Sequence, residues 1–258
     1  MTRVIVVASG KGGVGKTTLT SNLGAALTEF GVKTIVVDAN LTTPNLGFHL
    51  GVPLYPKTLH DVLKGEASID ETIYAHPSGL KVIPAGISMA DLKSTNPKNL
   101  GKAVLDLIGD YDVVILDGAA GLGKESLASL QAADEALIVT NPQLPAVTDA
   151  LKTIKLAEEA GTKISGIVLN RVRGSKAELS NPDVESLLGY PVIATVGEEG
   201  KMLDALAAKT PLVSYEPNVS AAHEIKKLAA VLVGHNYEVP KAQKTASFWG
   251  KIFGFIGK

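Results

Sequence analysis

Residues 10–18 read Gly10-Lys11-Gly12-Gly13-Val14-Gly15-Lys16-Thr17-Thr18, and this stretch decides the fold. It follows the apolar run at 4–8 (VIVVA) and precedes apolar residues at helical spacing over 19–30. A strand that ends in glycines and reopens as a helix is the setting of a phosphate loop. The glycines let the backbone curl with its N–H groups inward, and the helix start adds its positive end. Gly10, Gly15, Lys16 and Thr17 satisfy G-x-x-x-x-G-K-[ST], in which the lysine neutralises β- and γ-phosphate charge and the hydroxyl ligates Mg2+. Gly10, Gly12 and Gly15 also satisfy the dinucleotide pattern G-x-G-x-x-G, with Asp38 ending the next strand as a ribose-binding acid would. The pair Lys16-Thr17 separates the two. A dinucleotide fold packs a small or apolar residue there and has no use for a buried ammonium. The loop therefore reads as a site for a nucleoside triphosphate with Mg2+.

Working outward, short β-branched runs recur at 4–8, 34–38, 81–84, 113–117, 136–140, 164–170 and 192–196. They are continuous rather than alternating, as strands covered on both faces by helices require. Between them lie helical patterns at 19–30, 100–108, 146–160 and 221–233. The expected fold is α/β, a doubly wound and mostly parallel sheet of seven or eight strands of the P-loop NTPase type. One ATPase domain is expected over 1–234, then a polar linker at 235–247 (HNYEVPKAQKTAS) and a distinct tail at 248–258.

The 258 residues balance 25 Lys plus Arg against 26 Asp plus Glu, a net charge of −1, which argues against a surface given over to nucleic acid. Zero cysteines remove thiol nucleophiles, Cys-ligated zinc and iron–sulfur clusters. The five histidines are too scattered for a metal-helix signature. The first apolar run is too short for an export signal, and no stretch approaches the roughly 20 residues that span a bilayer. A cytoplasmic protein is expected.

Four further motifs accompany the loop: VVDANLTTPNLG (36–47), VVILDGAAG (113–121), VTNP (139–142) and VLNR (168–171). Asp38 and Asp117 end buried strands at the carboxyl edge, where open α/β sheets place ligands. With Lys11 one residue after the first glycine, the chain resembles the MinD/ParA family of deviant Walker A ATPases, and within it the archaeal-type MinD branch. The resemblance implies that Lys16 contacts phosphates within its own subunit and that Thr17, Asp38 and Asp117 hold Mg2+ directly or through water. It implies that Lys11 reaches the partner's nucleotide in an ATP-dependent homodimer. It places Asn170, with Arg171 beside it, where the family reads adenine. Two positions depart from the family. Asn40 stands where a second acid usually orients the attacking water; an amide cannot take a proton, so slow hydrolysis is expected. Asp117-Gly118-Ala119-Ala120-Gly121 lacks the usual proline before Ala-Gly.

The tail FWGKIFGFIGK holds the chain's single Trp and three of its five Phe. At 100° per residue, Phe248, Trp249, Ile252, Phe253, Phe255 and Ile256 fall within an arc of about 160°. Three glycines and a dozen residues are too little for a helix in water, so its helix needs a surface to bury against. An apolar aromatic face beside Lys241, Lys244, Lys251 and Lys258 has the composition of an interfacial helix on an anionic membrane. The alternative is docking onto the chain's own domain or a partner's groove. The expectation is a membrane-associated ATPase switch on the inner face that positions or recruits an unidentified protein partner in cell division or spatial organisation. The rivals are a DNA-segregation ATPase of the ParA type and a relative that places flagella or other appendages.

Overall fold

Successive residues of the first strand, β1 (Arg3–Ser9), belong to different cores. Val4, Val6 and Ala8 pack in one buried cluster, Ile5 and Val7 in another. A strand flanked by helices on both faces requires this, and it is why the run is apolar without alternation. The computed structural model describes residues 1–51, 55–88 and 95–240. The tail residues Phe248, Trp249, Ile252, Phe253, Phe255 and Ile256 lie outside the described residues, as does the expected linker beyond 240.

The chain continues through α1 (Lys16–Glu29), β2 (Thr34–Asp38), α2 (Leu46–His49), α3 (Leu59–Lys64), β3 (Tyr74–Ala75), β4 (Lys81–Ile83), α4 (Leu100–Leu105) and β5 (Val113–Ala120). Then follow α5 (Lys124–Gln131), β6 (Glu135–Thr140), α6 (Leu144–Ala160), β7 (Lys163–Val172), α7 (Asn181–Leu188), β8 (Val192–Gly197), α8 (Lys201–Ala207), α9 (Leu212–Tyr215) and α10 (Ser220–Val233). The sheet order is β3-β4-β2-β5-β1-β6-β7-β8. All seven expected strands form and pair in parallel; the eighth, β3, is a two-residue antiparallel addition to β4.

Helices α1, α9 and α10 cover one face, through residues such as Leu23, Leu27, Leu212, Ile225 and Leu228. Helices α3 to α7 cover the other, through Leu59, Leu100, Leu130, Ile154 and Val184. Because β1 lies between β5 and β6, the segments leaving β1, β2, β5 and β7 come together at one edge of the sheet. That convergence positions the site. After α10 the chain turns at Gly234 and comes back over α1. Tyr237 lies 5.9 Å from the Phe30 ring between centroids, with its hydroxyl 2.8 Å from His223 Nδ1. The first residues of the expected linker are thus laid against the domain.

Ile115 is fully buried on the central strand β5. Ile115→Ala is expected to cost about 2–5 kcal/mol in urea unfolding, from lost transfer energy plus the cavity. Leu203→Ala, at a position 73% exposed, should stay within about 0.5 kcal/mol.

Candidate nucleotide-binding site

The loop between β1 and α1 is shaped by two close approaches. A Cβ on Gly10 would sit 2.1 Å from the Asp149 carbonyl oxygen, and one on Gly15 would sit 2.1 Å from Asn170 Nδ2. Gly15 also has φ of 96°, in the left-handed region. Lys16 opens α1 and is only 8% exposed, with Nζ 4.0 Å from Asp117 Oδ1. Asp117 is fully buried on β5. Thr17 Oγ1 donates to its Oδ2 at 2.6 Å, and Thr20 Oγ1, one helical turn on, lies 3.2 Å from Oδ1 and 3.1 Å from the Lys16 carbonyl, with one proton to share between them. With its proton committed to Asp117, the Thr17 hydroxyl keeps lone pairs for a cation. A hydroxyl and a carboxylate beside a phosphate cradle are hard oxygen donors and fit Mg2+.

Asp38 is held differently. Its Oδ1 accepts from the Asn40 N–H at 3.2 Å, and Oδ2 accepts from the Asn45 and Leu46 N–H groups at 3.1 and 3.0 Å. The carboxylate therefore caps the start of α2 and folds the loop after β2 back toward the sheet. Burial pushes its carboxyl from an ordinary 3.8 up to about 8; repulsion from Asp117 adds to this and the three N–H donors oppose it. Asn40 makes a short side-chain bridge within the same loop. Its Nδ2 donates to the Thr43 carbonyl at 2.6 Å, and its Oδ1 accepts from Thr43 Oγ1 at 3.1 Å. Thr42, between them, donates from N–H and hydroxyl to the Glu125 carboxylate on α5, which ties this loop to the one that follows β5.

On the far side, β7 carries Asn170 and Arg171. Asn170 is 9% exposed, and its Nδ2 donates to the Val14 carbonyl at 2.8 Å, under Gly15. The register of β7 against β8 shifts between Asn170 and Val172, so Arg171 sits on a bulge with φ of 56°. A left-handed conformation costs a residue with a Cβ about 1–2 kcal/mol, and bulges of this kind re-aim side chains beside sites. Here the arginine lines the cleft.

The cleft has a volume of about 270 Å³. Lys11, Gly12, Gly13, Gly15, Lys16, Thr17, Thr18, Asn40 and Arg171 line it together. Gly10, Val14, Asp38, Asp117 and Asn170 stand behind this lining as supports. Sequence reasoning missed Thr43, Asn45 and His49 in the wall, and Thr20 beneath it. A single histidine closing a four-residue helix carries no pattern. In place, burial lowers the His49 imidazole from its ordinary value while Asp117 pulls it upward.

A family model described as "AAA domain" matches residues 2–165. An uncharacterized ATP-binding protein of Methanocaldococcus jannaschii is 41% identical over the whole of this chain and 98% of its own. The structure of the septum site-determining protein MinD complexed with Mg-ADP, from Pyrococcus horikoshii, superposes with a TM-score of 0.86 at 34% identity. It covers 90% of this chain and 96% of that one. This chain belongs to the MinD/ParA family of deviant Walker A ATPases. Nucleotide and magnesium binding are properties of that family. A solved MinC:MinD cell division protein complex of Aquifex aeolicus is also similar, with a TM-score of 0.81 at 31% identity over 93% of this chain and 99% of that one.

In the nucleotide-free ATPase, a folded-state carboxyl raised above its unfolded value makes folding take up a proton. The Asp38 contribution is therefore most favourable below pH about 4 and is lost as pH rises toward about 8. Thermal melts from pH 5 to 8 should show wild type losing stability relative to Asp38→Asn as pH rises; parallel curves would remove the buried-carboxyl argument.

Proposed function

We propose that this chain is an ATP-dependent dimerising switch of the MinD type, which binds an anionic membrane surface through residues 248–258 and there positions or recruits another protein. The observation that carries the reading is the phosphate loop with two lysines in different environments. Lys16 is buried against Asp117, whereas Lys11 is exposed at the cleft rim. A lysine exposed at the rim would be available to a neighbouring subunit, and closure of the homodimer would then depend on the triphosphate.

Within one subunit, Lys16 and the loop N–H groups would hold the phosphates, and Thr17 with Asp117 would hold Mg2+, Asp38 acting through water. Asn170 and Arg171 would face the adenine; the Asn170 amide nitrogen then serves both the loop and the base edge. Phosphoryl transfer depends mainly on positioning and charge stabilisation, so Asn40 in place of an acid would slow turnover without removing it. The amide can orient a water but cannot accept its proton.

The tail reading rests on composition. Burying an aromatic or branched side chain fully is worth about 1.5–3 kcal/mol, but interfacial insertion is partial and ordering a glycine-rich segment has an entropic cost. One tail would bind weakly. Two tails on a closed dimer gain an effective concentration of about millimolar and an avidity roughly a hundredfold or more above one tail. Among the described residues no helix is long and apolar enough to cross a membrane. Association would be peripheral, reversible and on the cytoplasmic face. The near-zero net charge favours this over a nucleic-acid partner.

Co-sedimentation with anionic vesicles tests the whole reading. Wild type with a non-hydrolysable ATP analogue should pellet, while wild type with ADP and a chain ending at residue 247 should stay in solution. Lys16→Ala should lose nucleotide binding, and Lys11→Ala should keep binding in part but neither dimerise nor pellet. Equal pelleting in both nucleotide states would overturn the switch. Separately, Asn40→Asp should raise steady-state phosphate release severalfold with little change in nucleotide affinity. Unchanged or lower turnover would mean that the amide bridge to Thr43 is itself the working arrangement.

A further inference from the structure

An anion cradle needs its N–H groups turned inward, so its carbonyls must turn outward and find donors. Val14 is 2% exposed, and its carbonyl, one residue before Gly15, faces away from solvent. Two side-chain amides converge on it. Asn170 Nδ2 donates at 2.8 Å, and Asn141 Nδ2 lies at 3.5 Å. Asn141 also donates to the Asn170 carbonyl at 2.9 Å, immediately before the Arg171 bulge.

Asn141 therefore stands between two walls of the cleft. It follows β6, whose last residue, Thr140, pairs with Leu169 of β7, so the strand register itself delivers Asn141 to Asn170. The geometry points to Asn141 as a positioning residue, one that fixes the phosphate loop and the β7 edge relative to each other through the Val14 and Asn170 carbonyls. This rests on the cleft being a nucleotide-phosphate site. Without the amide donor, the Val14 carbonyl keeps one partner and the Asn170 carbonyl loses its side-chain partner. The loop then samples orientations in which a carbonyl opposes the phosphate. Asn141 touches neither phosphate nor base in this scheme; it acts through the backbone it holds.

The distinguishing feature of a brace on the loop is that it matters for any ligand with two linked phosphates. Calorimetric titration of the full chain with Mg-ADP and with inorganic pyrophosphate plus Mg2+ reads this directly, for wild type, Asn141→Leu and Asn141→Ala. The leucine keeps the volume and removes the donor. Both variants should lose affinity for both ligands by a similar factor, roughly tenfold for a lost hydrogen bond that leaves a buried acceptor. Amide hydrogen exchange at residues 12–16 of the ligand-free protein should quicken by a comparable factor. The ligand-free melting temperature should fall by only about 2–4 °C in a domain of this size, the same lost hydrogen bond read in folding. Unchanged pyrophosphate affinity overturns the proposal, and so does a loss confined to ADP, which would place Asn141 with the base. If wild type binds neither ligand, the nucleotide reading falls, and the exchange rates alone still decide whether Asn141 braces the loop.

Discussion

A carboxylate with no solvent exposure must be matched by donors, and Asp117 on the central strand is matched almost entirely by one helix. Thr17 and Thr20 hydroxyls reach its two oxygens, and Lys16 approaches from the same turn of α1. Charge-assisted hydrogen bonds in a low-dielectric interior are strong and directional, so this cluster fixes how α1 sits on the sheet. Since α1 begins at the last loop glycine, the same cluster fixes where the loop's N–H groups point. Leu23 and Leu27, both fully buried, press the same helix onto the sheet. The Asp117 cluster supplies the orientation.

Asp38 is the second fixed point. It lies opposite Asp117 in the β2–β5 register, close enough that the charge on Asp117 adds to the cost of ionising Asp38. Its backbone donors nevertheless define the start of α2 and bring Asn45 and His49 into the cleft wall. A residue that ends a strand can thus be both a helix cap and a member of the site. The cap is a hydrogen-bonding fact of the fold, and it leaves a water-mediated role toward a cation open.

Legibility followed the physics of burial. The seven parallel strands were readable because covering by helices writes itself as unbroken β-branched runs, and the phosphate loop was readable because its glycines and lysine have no substitute at that spacing. β3 was not readable: two residues against one neighbour leave no periodic trace. The helix expected over 100–108 ends at Leu105, since Ile108 leaves it to form a bridge with Tyr111. Within the site, Lys16, Thr17 and Asp117 came from a motif. Thr20 and His49 did not, because their roles depend on which strand lies beneath α1 and where α2 folds back. Arg171 was read from its neighbour Asn170; nothing local announced the bulge that turns it.

The Asn40 bridge to Thr43 is one that an acid at this position could not make. A carboxylate at position 40 would accept from the Thr43 N–H and hydroxyl but could not donate to the Thr43 carbonyl, which Asn40 Nδ2 now does at 2.6 Å. It would also add a negative charge to the loop between Asp38 and the site, where burial already disfavours ionisation of Asp38. The amide therefore closes the turn and relieves the electrostatic load in the nucleotide-free protein, while Thr42 carries the loop's link to Glu125. Under the proposed function, the residue that would weaken water activation is also the one that holds the resting loop, so the proposed slow turnover and an ordered loop would share one structural origin.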